Sequence, residues 1–314
     1  MTGVLGPAKI RIGVMPGPWP DGAAGGDLFW RLVDLCEAGP IDSLWFSDRF
    51  LTSAPEPLVA MAAVAGRTRR LKFGPAVLVL PVRSPILAAK SVATLDVLSN
   101  GRVFPVVGLG VDQRREWEAA GVPPGARGAR TDEAIEVIRR LWTEEEVTHR
   151  GSYFTLDRVR LLPRPVQTPP PLWIGGNTEP ALRRAGRLGD GWLASFIAPD
   201  AFARGVAAIR GHAAAAGRAI PDDHYGTIIP FAFAPSPEAG WRAAEPHLPR
   251  DRADPATLRA MTAVGPPEAV AAVIDRFVAA GGTKFVLRPM ATGPAMLEQV
   301  ARLATEVIPA FHAR

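Results

Sequence analysis

Cysteine is almost missing from this chain: Cys36 is the one thiol in 314 residues. That excludes an internal disulfide framework and fits a reducing compartment. Lysine is scarce as well, since Lys9, Lys72, Lys90 and Lys284 are the only four among 36 basic residues. The formal charge of +5 is therefore carried by arginine, scattered in pairs such as Arg69-Arg70, Arg114-Arg115, Arg139-Arg140 and Arg183-Arg184. No basic block forms and no aromatic platform flanks the pairs, so nucleic-acid binding is not expected. With alanine, glycine and proline abundant, the arginine excess reads as GC-rich coding bias, although a mild positive field favours an anionic ligand. No apolar run approaches the roughly 20 residues needed to span a bilayer. Residues 1–9 show no charged region leading into an apolar run, so no secretory signal is visible. The expectation is a cytoplasmic protein with no membrane partner.

Several chemistries are excluded by missing motifs. No lysine directly follows a glycine, which rules out a P-loop, and Gly108-Leu109-Gly110 lacks the third glycine of a dinucleotide fingerprint. The nucleophile elbow Gly-x-Ser-x-Gly is absent too. The five histidines (His149, His212, His224, His247, His312) fall at no ligand spacing, so no metal is expected and they read as solvated surface positions. Cys36 shares a helical face with Leu28, Leu32 and Leu35, as a buried structural thiol would.

Hydrophobic residues make up 47% and charged residues 21%, a globular balance. Eight short apolar runs occur: Ile10–Pro16, Ser43–Asp48, Leu71–Val79, Val103–Gly110, Leu172–Gly176, Gly191–Ser195, Thr227–Phe233 and Lys284–Pro289. Their near-continuous Val, Ile, Leu, Phe and Trp content is that of strands buried on both faces. Helical patterns alternate with them, for example Asp27–Glu37, Pro85–Leu98, Thr131–Thr143, Pro180–Leu188, Pro266–Ala279 and Pro294–Ile308. Eight such units predict an α/β fold, a closed (β/α)8 barrel of one domain over 1–314, with an open doubly wound sheet as the alternative. Two connections, 144–171 and 234–265, exceed what a barrel needs and are expected at its rim as lids.

In a barrel, chemistry gathers where strands end. Those ends carry Met15-Pro16, Ser47-Asp48-Arg49, Ala76–Leu80, Gly108–Asp112, Gly175-Gly176-Asn177, Ser195 and Arg288-Pro289. The glycines let backbone approach a flat or phosphorylated ligand, or simply turn the chain. Gly175-Gly176-Asn177-Thr178 runs into a helix beginning near Pro180, which makes an anion site from exposed amides and the helix dipole.

These residues also form a familiar series. Asp42-Ser43-Leu44-Trp45-Phe46-Ser47-Asp48, Phe73-Gly74-Pro75-Ala76-Val77-Leu78-Val79-Leu80-Pro81 and Ala93-Thr94-Leu95-Asp96-Val97-Leu98-Ser99-Asn100-Gly101-Arg102 resemble the luciferase-like monooxygenase superfamily. So do Pro163-Arg164-Pro165-Val166-Gln167, Trp173-Ile174-Gly175-Gly176 and Ala185-Gly186-Arg187-Leu188-Gly189-Asp190-Gly191-Trp192, in order over roughly residues 10–310. The resemblance is greatest to the branch of probable oxidoreductases dependent on the deazaflavin coenzyme F420, with FMN as the alternative cofactor. It implies a luciferase-like TIM barrel with insertions after strands 4 and 7. It also implies cofactor contacts at Asp48, Ala76, Val77, Gly108, Gly110, Gly175, Gly176, Asn177 and Thr178. Ala76-Val77 falls where relatives carry a non-prolyl cis peptide. Trp19, Ser195 and Arg288 are expected at the substrate, in a pocket that also takes in Met15 and Phe50. Arg49 and Asp112 are the expected catalytic residues.

Two departures shape the functional expectation. Arg49 stands where deazaflavin dehydrogenases of this type have histidine, and Val111 where they have glutamate, which argues against their acid/base pair. Arg49 can bind an anion or orient a carbonyl but makes a poor general acid. The activity expected is hydride transfer between deazaflavin and a small organic substrate. The alternatives are an FMN-dependent monooxygenase using oxygen, and a cofactor-binding barrel without turnover. A separate cofactor reductase and a homodimer are the expected partners beyond the small-molecule substrate.

Overall fold

The computed structural model describes residues 9–17, 19–20, 22–110, 114–248 and 253–312. Parallel strands form the frame: β1 (Arg11–Val14), β2 (Ser43–Phe46), β3 (Lys72–Pro75), β4 (Leu78–Val79) and β5 (Val106–Gly108). β8 (Trp173–Gly175), β9 (Gly191–Ala194), β10 (Tyr225–Phe233) and β12 (Lys284–Pro289) complete it. The pairing runs β3-β2-β1-β12-β10-β9-β8-β5-β4. β3 and β4 are two halves of one barrel strand, interrupted at Ala76-Val77, so the ring nearly closes on itself. The alternative of an open doubly wound sheet is thereby removed. A short strand β11 (Ala263–Gly265) joins the far end of β10, pairing Phe231 with Ala263 and Phe233 with Gly265.

Side-chain alternation builds two layers from these strands. Met15, Trp45, Val106, Trp173, Leu193 and Val286 point inward and fill the barrel. Their neighbours Val14, Leu44, Phe46, Val107, Ile174, Phe285 and Leu287 point outward into the larger core beneath the helices. The helices that cover that core include α1 (Ala23–Ala38), α2 (Pro57–Arg67), α3 (Pro85–Ser99), α4 (Arg114–Ala119) and α5 (Arg127–Thr143). α6 (Glu179–Leu188), α7 (Pro199–Ala215), α8 (Pro237–Ala244), α9 (Pro255–Met261), α10 (Pro267–Ala279) and α11 (Gly293–Arg302) follow. Proline at the first turn and an acidic cap start several of them, as in α2, where the Glu56 carboxylate accepts from Val59 N–H at 2.8 Å. Cys36 is fully buried on α1, and burial, opposed by Arg70, pushes its thiol up to about 12. Among the described residues no helix is long and apolar enough to cross a membrane.

The two long connections behave differently from each other. The second, after β10, folds into α8 and α9 and brings Pro246, His247, Leu248 and Met261 over the barrel mouth. The first, 144–171, contains a hairpin of β6 (Val147–Arg150) and β7 (Thr155–Val159) and contributes nothing to the mouth. It leaves after α5, when the chain has already returned to the N-terminal side of the strands, so the expectation of a lid fails there. Glu133 of α5 pins it, accepting from the backbone N–H of Phe154 at 2.7 Å and of Ser152 and Tyr153, with His149 Nε2 at 3.2 Å. Glu133→Ala should therefore cost about 1–2 kcal/mol by releasing several exposed or partly buried donors at once, measured by urea unfolding. Burial raises the Glu133 carboxyl, but the His149 and backbone donors more than offset it and hold it below the ordinary range. Its stabilisation is accordingly complete above a normal glutamate pKa, about 4.3, and disappears as pH falls through the lower folded value.

Candidate functional site

A cavity of about 550 Å³ opens at the C-terminal ends of the barrel strands. Its apolar wall is made by Met15, Val77, Leu193, Ile228 and Met290, and its polar edge by Asp48, Arg49, Asn177, Ser195 and Arg288. All nine residues expected at the cofactor, together with Arg49, Ser195, Arg288 and Met15, line this one space. Two expected members do not. Trp19 is buried against Phe29 of α1, ring centroids 5.8 Å apart, within the layer between barrel and helices. Phe50 lies outside the lining at 38% exposure. The segments beside them do border the cavity, through Gly17 and through Thr52, Ser53 and Ala54, but these two side chains are not part of its lining. Asp112 lies outside the described residues.

Val77 is the floor's central side chain. Its peptide with Ala76 is cis, and its methyls sit between two strands that only glycine lets approach. A Cβ on Gly108 would lie 3.0 Å from Val77 Cγ2, and one on Gly175 only 2.3 Å from Cγ1. Glycine at these two strand ends is thus a packing requirement, not a turn. Gly176, by contrast, adopts φ +107°, which L side chains rarely reach. It turns the chain into α6, whose cap residue Thr178 supplies no side-chain hydrogen bond to the first turn. In the first turn of α6 Pro180 has no N–H and Ala181 N–H donates to the Thr178 carbonyl at 2.8 Å, so the Glu179 N–H and the helix dipole are what this end presents beside the cavity. Asn177 does not face the cavity freely: its amide bonds both the carbonyl and the N–H of Ser195, tying the end of β8 to the end of β9.

On the opposite side, Asp48 is 4% exposed. Its Oδ2 accepts from Val79 N–H at 2.9 Å and from Arg83 Nη2 at 2.9 Å, and Arg83 also holds Glu56. Burial raises the Asp48 carboxyl above its ordinary value despite Arg83 and the Val79 donor. Every one of these bonds falls on Oδ2, which leaves Oδ1 for a ligand. Arg49 is oriented by Glu116 of α4, Nε to Oε1 2.9 Å, with Glu116 buried. Sequence reading missed Arg83 and Glu116, because each pairing spans 35 and 67 residues and no local spacing signals it. His247 is exposed, as expected of a solvated surface position, and also borders the cavity. His149, His212 and His224 are likewise engaged, with Glu133, Glu179 and the Asp190 carbonyl. Among the described residues no cluster of His, Cys, Asp and Glu could hold a metal.

An apolar floor, a helix N-terminal dipole at the rim and a free carboxylate oxygen together fit a flat ring with an anionic tail. The chain is 38% identical over 180 residues to the F420-dependent glucose-6-phosphate dehydrogenase of Amycolatopsis mediterranei, covering 53% of this chain and 52% of that one. It spans about half the length of the curated relatives it matches. In fold it resembles a monooxygenase from Streptomyces bottropensis, with a TM-score of 0.83 and 22% identity over 96% of this chain and 100% of that one. It also resembles the F420-dependent tetrahydromethanopterin reductase of Methanopyrus kandleri, with a TM-score of 0.80 and 20% identity over 97% of this chain and 100% of that one. At such identities the likeness shows the fold alone. The luciferase-like monooxygenase family model, however, matches residues 14–284, from the end of β1 to the start of β12, and the chain belongs to that family.

Proposed function

We propose that this chain is an oxidoreductase that uses the deazaflavin coenzyme F420 to move a hydride to or from a small organic substrate. The observation that carries the reading is the Val77 floor, slotted between Gly108 and Gly175, in one cavity with the Gly175–Thr178 backbone that leads into α6. The F420-dependent relative in Amycolatopsis supports it. The coenzyme would supply the hydride chemistry at its ring carbon. The chain's own share is positioning and desolvation. Val77 and Met15 would support the ring from below, and the Gly176–Thr178 backbone with the α6 dipole would take the phosphate. Asp48 Oδ1 would accept a hydrogen bond at the ring edge. Leu248, Met261 and Met290 would exclude water from above. Arg49, held by Glu116, would polarise a carbonyl or compensate negative charge, since a guanidinium keeps its proton at any working pH. Asp112, as proton acceptor, and Ser195, as a substrate contact, complete the proposed set. The same reading carries a homodimer and a separate cofactor reductase.

Titration of the purified protein with oxidised F420 and with FMN, side by side, tests this reading. The expected result is an affinity for F420 at least tenfold above that for FMN, about 1.4 kcal/mol or more, with anaerobic turnover of a substrate. A preference for reduced FMN with oxygen consumption would transfer the chain to the monooxygenase branch. Binding with no product across a broad substrate panel would leave a cofactor-holding barrel. Binding of neither cofactor would end all three readings.

A further inference from the structure

The inward alternation of β12 continues past the apolar interior. Lys284 and Val286 face into the barrel, and Arg288, two residues on, lines the cavity. Its guanidinium is largely buried, and its Nε has no hydrogen-bond partner. Among the described residues no carboxylate comes within ion-pair distance of it. The other arginines around the mouth and its flanks are answered: Arg49 by Glu116, Arg83 by Asp48 and Glu56, Arg184 by Asp132. Asp48 is the one acidic residue in the described lining, and its Oδ2 is already engaged by Arg83. A buried cation without a counter-charge is costly. Burial, and then the like charge of Arg49, both act to weaken Arg288's protonated form. A guanidinium nonetheless stays charged, so the cavity contains a standing positive charge that no described residue neutralises.

Its position separates it from the proposed phosphate site. Arg288 ends β12 and Arg49 follows β2, the two neighbours of β1 in the ring. The Gly175–Thr178 segment follows β8, which is separated from β12 by β10 and β9. The two cations thus share one sector of the mouth and the start of α6 occupies another.

We propose that Arg288 receives an oxyanion group, a carboxylate or a phosphate, borne by the substrate, so that the substrates of this site are small organic anions. The inference rests on the redox reading only in taking this cavity as the substrate site. The planar fork of donors on arginine matches such a group in a two-pronged contact. Arg49 adds like-signed field from the side without surrendering Glu116. The cavity volume of about 550 Å³ has to hold the coenzyme ring as well, which keeps the anion small.

The test uses the full chain with Arg288→Met and Arg288→Lys. Removing an uncompensated buried cation should leave the melting temperature of the ligand-free protein unchanged or raised in Arg288→Met. A clear fall would mean that Arg288 is structural and would overturn the proposal. Calorimetric titration at constant ionic strength then compares benzoate with benzyl alcohol, pyruvate with methyl pyruvate, and phenyl phosphate with phenol. At least one anion should bind the wild type about tenfold or more tightly than its neutral twin, lose that margin in Arg288→Met and recover part of it in Arg288→Lys. The carboxylates and the phosphate ester report separately which oxyanion is preferred. Equal binding of acid and twin, or no binding of any anion, would overturn the proposal. So would an equal loss of F420 affinity in Arg288→Met, which would assign the charge to the coenzyme. Failure of F420 to bind while anion discrimination persists would sink the redox reading and leave the anion site standing.

Discussion

Replacing Gly175 with alanine is expected to disable the site more completely than any change to a charged residue in it. The new Cβ would be 2.3 Å from Val77 Cγ1, and valine, branched at Cβ, has little freedom to turn its methyl away. Val77 is also confined on its other side, where Gly108 leaves only 3.0 Å to Cγ2 for any added carbon. The strain must move either the end of β8 or the Ala76-Val77 segment, and both support the floor of the cavity. Overpacking of this kind costs about 1–3 kcal/mol, read as a lower urea midpoint. A displacement near 1 Å in a positioned site can cost about 100-fold, and F420 affinity is expected to fall on that scale. The control is the double variant Gly175→Ala/Val77→Ala, which removes the collision. If the clash is the cause, stability returns in the double variant with a coupling of about 1–3 kcal/mol. Additive losses would show instead that Gly175 matters for another reason.

The second large effect lies at the opposite end of the barrel, far from the ligand. Lys284 is buried in the interior, its Nζ 5.5 Å from the Trp45 ring centroid and 5.3 Å from that of Phe104, and its ion-pair partner is Asp42. Asp42→Ala would strand that ammonium among aromatic rings. The expected cost is about 3–5 kcal/mol, the usual price of an orphaned buried charge. Asp42→Ala combined with Lys284→Met should return close to wild-type stability, because an apolar pair of similar volume needs no counter-charge. A double variant as unstable as the single one would show that the pair is needed for more than mutual neutralisation. The pH response has a defined sign. Burial works to raise the Asp42 carboxyl and to lower the Lys284 ammonium, but Lys284 prevails at Asp42 and holds it below the ordinary range. The carboxylate is the informative titrant because its side chain keeps 20% of its surface against 3% for Lys284. Stability from this pair is thus present above a normal aspartate pKa, about 3.9, and is lost as pH drops through the lower folded value. Wild type should show this acid limb and the apolar double variant should lack it.

These two sites mark what can be read along the chain and what cannot. The eight apolar runs and the helices between them were legible because burial on both faces writes continuous hydrophobic stretches into a strand, whatever it pairs with. Glycine at 108, 175 and 176 and aspartate at 48 could be placed at the mouth because strand ends are counted from the same pattern. The helix from Gly293 to Arg302 was legible too, though it passes through a wider turn at 303–307 where the periodicity alone predicts one helix to Ile308. Short elements were not legible. β11 has three residues and no signal apart from its partner β10, and the β6–β7 hairpin depends on a glutamate from a different helix.

The amino-acid sequence by itself determined the barrel, the family and the strand-end residues at its mouth, because each follows from local periodicity or from contiguous motifs. Only the tertiary structure decided what those residues are free to do. It gave Arg49 to Glu116 and the Asp48 Oδ2 to Arg83, withdrew Trp19 into the helix layer, and left Arg288 without a counter-charge among the described residues. The physical reason is that a charge acts through its neighbours in space. Those neighbours are supplied by strands and helices tens of residues away, at distances no sequence spacing encodes.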